Sequence, residues 1–89
     1  MFVLTDPAKA EVQNRLELSV SGKYIRLQMR KSCFMKVKLT LEDSIQDNDS
    51  EIVKEDLHFI IDKGECHYFR NKKLDFIPDQ TGFKQFEVI

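Results

Sequence analysis

Two cysteines and two histidines hold most of the reactive side-chain chemistry of this 89-residue chain. Cys33 follows Arg30-Lys31-Ser32, and cations close to a thiol favour the thiolate, the form that binds soft metals and attacks electrophiles. A lone cysteine is otherwise a small buried hydrophobe, and the sequence leaves both readings of Cys33 open. Cys66 and His67 are adjacent, with Glu65 before them. Consecutive side chains point apart on a helix or a strand, so this adjacency does not make a Cys–His catalytic pair. His58 lies in the apolar run Leu57-His58-Phe59-Ile60-Ile61 and reads as a surface or interface histidine. Two cysteines make neither a disulfide-rich scaffold nor an intrachain four-cysteine zinc site. No nucleophile elbow, phosphate-binding glycine loop or His-Glu zinc motif is present. The expected protein is not an enzyme.

Charge is segregated along the chain. Between Leu18 and Leu41 there are six basic residues, Lys23, Arg26, Arg30, Lys31, Lys36 and Lys38, and no acidic one. Arg26, Arg30, Lys36 and Lys38 are expected on the polar faces of a hairpin, beside Tyr24 and Phe34, where they would form an interaction surface. Cations that neutralise phosphates beside rings that stack on bases also suit nucleic acid, but a net charge of −1 argues against that partner. Residues 42–56 hold seven acidic residues and one basic residue, Lys54. A self-complementary dimer, basic strand against acidic loop, follows from this segregation. Asp47-Asn48-Asp49-Ser50-Glu51 begins like a calcium loop. That loop needs Gly at its sixth position and Glu at its twelfth, where this chain has Ile52 and His58. Residues 44–50 are therefore expected to be a solvated acidic loop.

The elements that must position these residues are legible in the apolar spacing. Phe2-Val3-Leu4 is a short apolar element. Thr5 then reads as a helix N-cap with Asp6 and Pro7 in the first turn. Ala8, Val12 and Leu16 recur at helical spacing, so a helix is expected from about Asp6 to about Leu18, with a turn at Gly22. In residues 24–30, Ile25, Leu27 and Met29 alternate with polar partners. In residues 34–42, Met35, Val37, Leu39 and Leu41 do the same. Period-two alternation predicts half-buried antiparallel strands, joined through Lys31-Ser32-Cys33. Ile52-Val53 suggests a short strand, Leu57–Asp62 a denser one, and residues 63–70 one or two helical turns. Residues 74–77 and 83–89 read as the last strands, joined by a turn at 78–82.

Hydrophobic residues make up 42% and charged residues 33% of the chain, which describes one globular domain, residues 1–89. A domain this small buries only roughly 60–65% of its unfolded surface. Seven Phe and two Tyr help the core, and oligomerisation is a second route to burial. No basic n-region precedes the four-residue apolar run at the start, and no stretch nears the roughly 18 apolar residues of a membrane span. The expectation is a cytoplasmic protein with reduced thiols, no membrane partner, and a protein partner or a homodimer.

In order and spacing these landmarks resemble the HesB/IscA family of iron–sulfur cluster biogenesis proteins. Leu4-Thr5-Asp6-Pro7-Ala8 leading into a helix is similar to that family's start. Ile25-Arg26-Leu27, through Cys33, to Leu41-Glu42-Asp43 resembles its cysteine-bearing hairpin, with Cys33 ten residues before Asp43. Phe59-Ile60-Ile61-Asp62, Tyr68, Leu74-Asp75-Phe76 and Gly82-Phe83 resemble its remaining landmarks. The resemblance implies a HesB-like fold: mainly β with one N-terminal α-helix, in compact antiparallel or mixed sheets forming a small sandwich or pseudo-barrel. It implies a scaffold or carrier of iron or an iron–sulfur cluster, which thiolates suit as soft anionic ligands. Of the family's three ligand cysteines only Cys33 has a counterpart. The Cys-Gly-Cys that supplies the other two would follow Ile89, and Lys31 and Ser32 stand where the family has glycines. The expectation is a short member with Cys33 as sole metal ligand. The alternative is a non-metal interaction or regulatory module that uses the basic hairpin 24–38.

Overall fold

A computed structural model of the chain describes residues 1–19, 22–30, 36–78 and 80–89. The first strand, β1 (Val3–Leu4), leads directly into α1 (Asp6–Leu18). The helix starts where local chemistry says it should. Thr5 is extended, with φ −74° and ψ 160°, and its hydroxyl accepts the Ala8 N–H at 3.3 Å, which satisfies one of the free amides of the first turn. The same hydroxyl donates to Asp75 at 2.7 Å and so pins the helix start to the sheet. Only a narrow stripe of α1 is buried: Ala8 and Val12 fully and Leu16 in part. On its flank the Arg15 guanidinium lies 5.0 Å from the Phe86 ring centroid and 5.9 Å from that of Phe76, a cation–π cover over two core rings.

Six further strands follow: β2 (Tyr24–Met29), β3 (Lys36–Glu42), β4 (Asp49–Lys54), β5 (Leu57–Asp62), β6 (Lys73–Pro78) and β7 (Lys84–Val88). The one-turn helix α2 (Cys66–Phe69) lies between β5 and β6. All seven strands belong to one sheet in the order β1-β6-β7-β3-β2-β5-β4. The pairs β1·β6 and β2·β5 are parallel and the others antiparallel. The sheet curls into a nearly closed barrel, the second of the two expected shapes. Ile25, Leu27, Val37, Phe59, Ile61, Leu74, Phe86 and Val88 fill the inner face against α1. Phe2 joins them, edge-on to Phe59 at 5.3 Å and tilted on Phe69 at 6.2 Å.

The expected helix and five of the expected strand regions are present with small shifts at their ends. The acidic segment differs most. Asp49 and Ser50 open β4, which pairs with β5 along its whole length from Asp49↔Asp62 to Lys54↔Leu57, so the solvated loop stops at Asn48. The β4–β5 hairpin closes through Glu55 and Asp56, both left-handed at φ 47° and 68°. This is the backbone a two-residue hairpin turn needs to match strand twist. Nothing in Glu55-Asp56 announces it, because such turns favour Asn and Gly.

Candidate functional site

Cys33, with Lys31, Ser32, Phe34 and Met35, lies outside the described residues. The base of that segment is described and is held on both sides. The Arg30 N–H donates to the Lys36 carbonyl at 2.9 Å, so β2 and β3 are bonded up to the segment's ends. On the other side β2 runs past β5, whose pairing with it stops at Arg26↔Ile60. There the Glu65 carboxylate accepts the Met29 N–H at 2.8 Å. A carboxylate thus replaces the missing strand. Glu65 acts across 36 positions of sequence, and no local pattern marks it.

The four cations expected to form one interaction surface share one face of the β2–β3 pair, but Arg26 is not available on it. Arg26 is a correction: it is only 8% exposed and its guanidinium is consumed by carboxylates. Its two terminal nitrogens donate to both oxygens of Asp49 at 2.7 Å, and Nε donates to Glu42 at 2.6 Å. The Asp49 side chain is itself almost fully buried and also accepts the Gln46 N–H at 2.9 Å. Hydrogen bonding by Arg26 holds the Asp49 carboxyl below its ordinary range, and the bonds to Asp49 and Glu42 hold the guanidinium charged. Bidentate pairing of this kind is strong and directional. It ties the end of β3 to the start of β4 across β2, and so fixes the crossover 43–48. Asp49 therefore serves as an internal counter-ion, neither a calcium ligand nor a solvated charge. Ile60, level with Arg26 on the outer face, is fully buried.

Arg30 and Lys38 are exposed and Lys36 is half-buried, and none of the three has an ion-pair partner among the described residues. Lys36 lies level with Glu87. Both line an open depression of about 580 Å³ with Pro78, Gln80 and Thr81. A second, polar depression of about 560 Å³ runs over the outer face between Lys38, Glu42, Asp62 and Glu65. Among the described residues no buried side-chain polar atom is left without a partner.

The second thiol is structural. Cys66 is 5% exposed, belongs to the core cluster, and points its Sγ at the Ile61 carbonyl at 3.9 Å. His67 is exposed with its ring 4.0 Å from that of Tyr68, so Cys66 and His67 do part ways. His58 is exposed and meets Glu51 at 2.7 Å. Among the described residues no three His, Cys, Asp or Glu side chains gather as a metal site. Those residues alone do not fit a cluster.

No family model and no curated protein matches the chain. Solved structures do. A protein from Aquifex aeolicus, determined by solution NMR, superposes with a TM-score of 0.76 at 21% identity, over 99% of this chain and 89% of that one. IscA in a crystal structure with a [2Fe-2S] cluster gives 0.70 at 19% identity, over 100% and 84%. Escherichia coli SufA, described as involved in biosynthesis of iron–sulfur clusters, gives 0.75 at 11% identity, over 99% and 83%. The chain therefore has the fold of IscA and SufA along its whole length. The HesB/IscA resemblance read from the sequence holds at the level of fold.

Proposed function

We propose that the chain acts in iron–sulfur cluster biogenesis as a carrier rather than an enzyme, with the cluster as cargo and Cys33 as the one thiolate it contributes. The observation that supports this reading is the whole-chain likeness to a [2Fe-2S]-bearing IscA and to SufA, combined with a cysteine placed in sequence between the paired strands β2 and β3. Fold alone does not carry function, so the cysteines carry the test. Cys66 is turned into the core, which leaves Cys33 as the candidate. A cluster takes four ligands, so the remainder come from outside these residues: a small thiol such as glutathione, or a protein partner. A cytoplasmic setting, where thiols stay reduced, suits that chemistry. No described helix is long and apolar enough to cross a membrane.

Anaerobic reconstitution with iron, sulfide and glutathione tests the reading. Wild type and Cys66→Ala are expected to develop a visible chromophore that Cys33→Ser lacks. No Cys33-dependent chromophore would sink it. The second reading is a non-metal interaction module, favoured by Arg30, Lys36 and Lys38 standing without ion-pair partners among the described residues. Its partner would be an acidic protein surface, and reversal of those three charges would abolish binding while leaving the fold intact.

A further inference from the structure

We propose that α2 and the turn after it bind single-stranded nucleic acid, with the His67 and Tyr68 rings against a base and Arg70, Lys72 and Lys73 on the phosphates. α2 is a single turn whose Cys66 and Phe69 are buried, which leaves His67 and Tyr68 facing outward. Both are exposed. Their ring centroids lie 4.0 Å apart with the planes 37° from parallel, so the two form one aromatic ledge. The chain then reverses. Arg70 has φ −63° and ψ 126°, Asn71 is left-handed at φ 58°, and the Lys72 N–H donates to the Phe69 carbonyl at 3.2 Å, the pattern of a type II turn. The Asn71 N–H donates to the Met1 carbonyl at 2.9 Å and the Val3 N–H to the Lys72 carbonyl at 2.8 Å. These bonds fix the turn to the N-terminal strand, so its cations project from a held backbone.

Arg70, Lys72 and Lys73 are exposed and have no ion-pair partner among the described residues. From residue 63 to residue 74 the one acidic residue is Glu65, and its carboxylate is taken by the Met29 N–H. The whole-chain charge of −1 does not decide this contact. At physiological salt an exposed charge is felt over about 8 Å, so the local sign governs. Exposed cations alone would suit any anion; the ledge beside them selects among anions. Every base has a π-face to stack on a ring, whereas an acidic peptide brings carboxylates without one. A single helical turn and a tight turn supply no element long enough to read a duplex groove, and paired bases keep their faces stacked on one another. β4, at the opposite edge of the sheet, carries Glu51 and leads into Glu55 and Asp56, all three exposed. They repel phosphates and confine the footprint to the basic side. The inference goes beyond the cluster reading, because it uses neither Cys33 nor any metal.

Fluorescence anisotropy of the full chain with a labelled random single-stranded oligonucleotide of about 12 nucleotides, as RNA and as DNA, tests it. Wild type is expected to bind at about 50 mM salt, and the logarithm of its association constant should fall against that of salt with a slope of about −2, roughly −0.7 for each of three phosphates. Arg70→Gln/Lys72→Gln/Lys73→Gln should abolish binding, with circular dichroism confirming that the variant folds. Tyr68→Ala should weaken binding about fivefold or more and leave the slope unchanged; it carries the test by itself if the triple variant loses its fold. Arg30→Gln/Lys36→Gln/Lys38→Gln, on the β2–β3 hairpin, should bind as wild type does. No binding by wild type, full binding by the triple variant, or no effect of Tyr68→Ala overturns the proposal. So does a duplex that binds as tightly as the single strand. Displacement by a polyglutamate peptide at equal charge would also overturn it, since that result gives the patch to an acidic protein partner.

Discussion

Arg26 occupies a polar slot in an alternating strand, and alternation alone sends it to solvent beside Arg30 and Lys38. Glu42 on β3 and Asp49 on β4, beyond β5, cover it on that outer face instead. Sequence periodicity reports the face a side chain leaves by; it says nothing of a carboxylate 23 positions away. Removing one member of a buried pair leaves the other charged and desolvated, which costs about 3–5 kcal/mol. Arg26→Met is expected to lower stability by that amount in urea denaturation, and the double variant with Asp49→Asn by less than the sum of the two singles. The same pair sets a pH dependence. Asp49 is held below its ordinary value of 3.8, so the native state binds its proton less readily than the unfolded chain does. Its contribution is complete above the unfolded value and is lost as pH falls through the lower native one. Urea midpoints measured from about pH 7 to about pH 3 should show an acid limb that is shallower in Asp49→Asn. An equally steep limb in that variant would remove Asp49 as its source.

At the scale of elements, the parts that form by local rules are the ones legible in the chain. The ends of α1 follow from Thr5, Asp6 and Pro7, and strands β2, β3 and β5 from their alternation. The β4–β5 turn breaks this pattern, because Glu55 and Asp56 hold left-handed backbone that L side chains adopt at a cost, smaller for Asp than for Glu. Nothing local selects it; the ladder from Asp49 to Lys54 against β5 imposes it. Asp56→Gly relieves the strain without touching the Lys9–Glu55 pair and is expected to raise stability by about 1 kcal/mol, read as a higher thermal midpoint. Glu65 is the opposite case, a local residue with a distant task at the base of the Cys33 segment. Glu65→Ala orphans the Met29 N–H and should cost about 1–3 kcal/mol. Faster hydrogen exchange at the Met29 amide should accompany it. Glu65→Gln keeps an acceptor oxygen and should restore most of the protection; equal exchange in all three proteins would deny Glu65 this role.

For the whole molecule, the fold class was legible because one capped helix and a set of alternating strands, in that order, leave few compact arrangements. Strand order and closure were not, since parallel pairing of β1 with β6 and β2 with β5 joins segments far apart in sequence. The candidate site was legible only as Cys33; its supports, Glu65 and the Arg26 clasp, are tertiary. Closure itself depends on the first residues. Phe2 is 1% exposed and touches three elements at once: Phe59 on β5, Phe69 on α2 and Lys54 on β4. No other described ring bridges the sheet's two ends in this way. Truncating a buried Phe costs about 3–5 kcal/mol, a large share of the roughly 5–15 kcal/mol that holds a small domain together. Phe2→Ala is therefore expected to shift the urea midpoint down by about a fifth or more of its value, the fraction of the total that this loss represents. Val3→Ala, next along the chain but exposed, should change stability by less than about 0.5 kcal/mol. The two substitutions differ by one position, so the contrast isolates burial from proximity to the chain start. Equal small effects would mean that the barrel holds without its N-terminal ring.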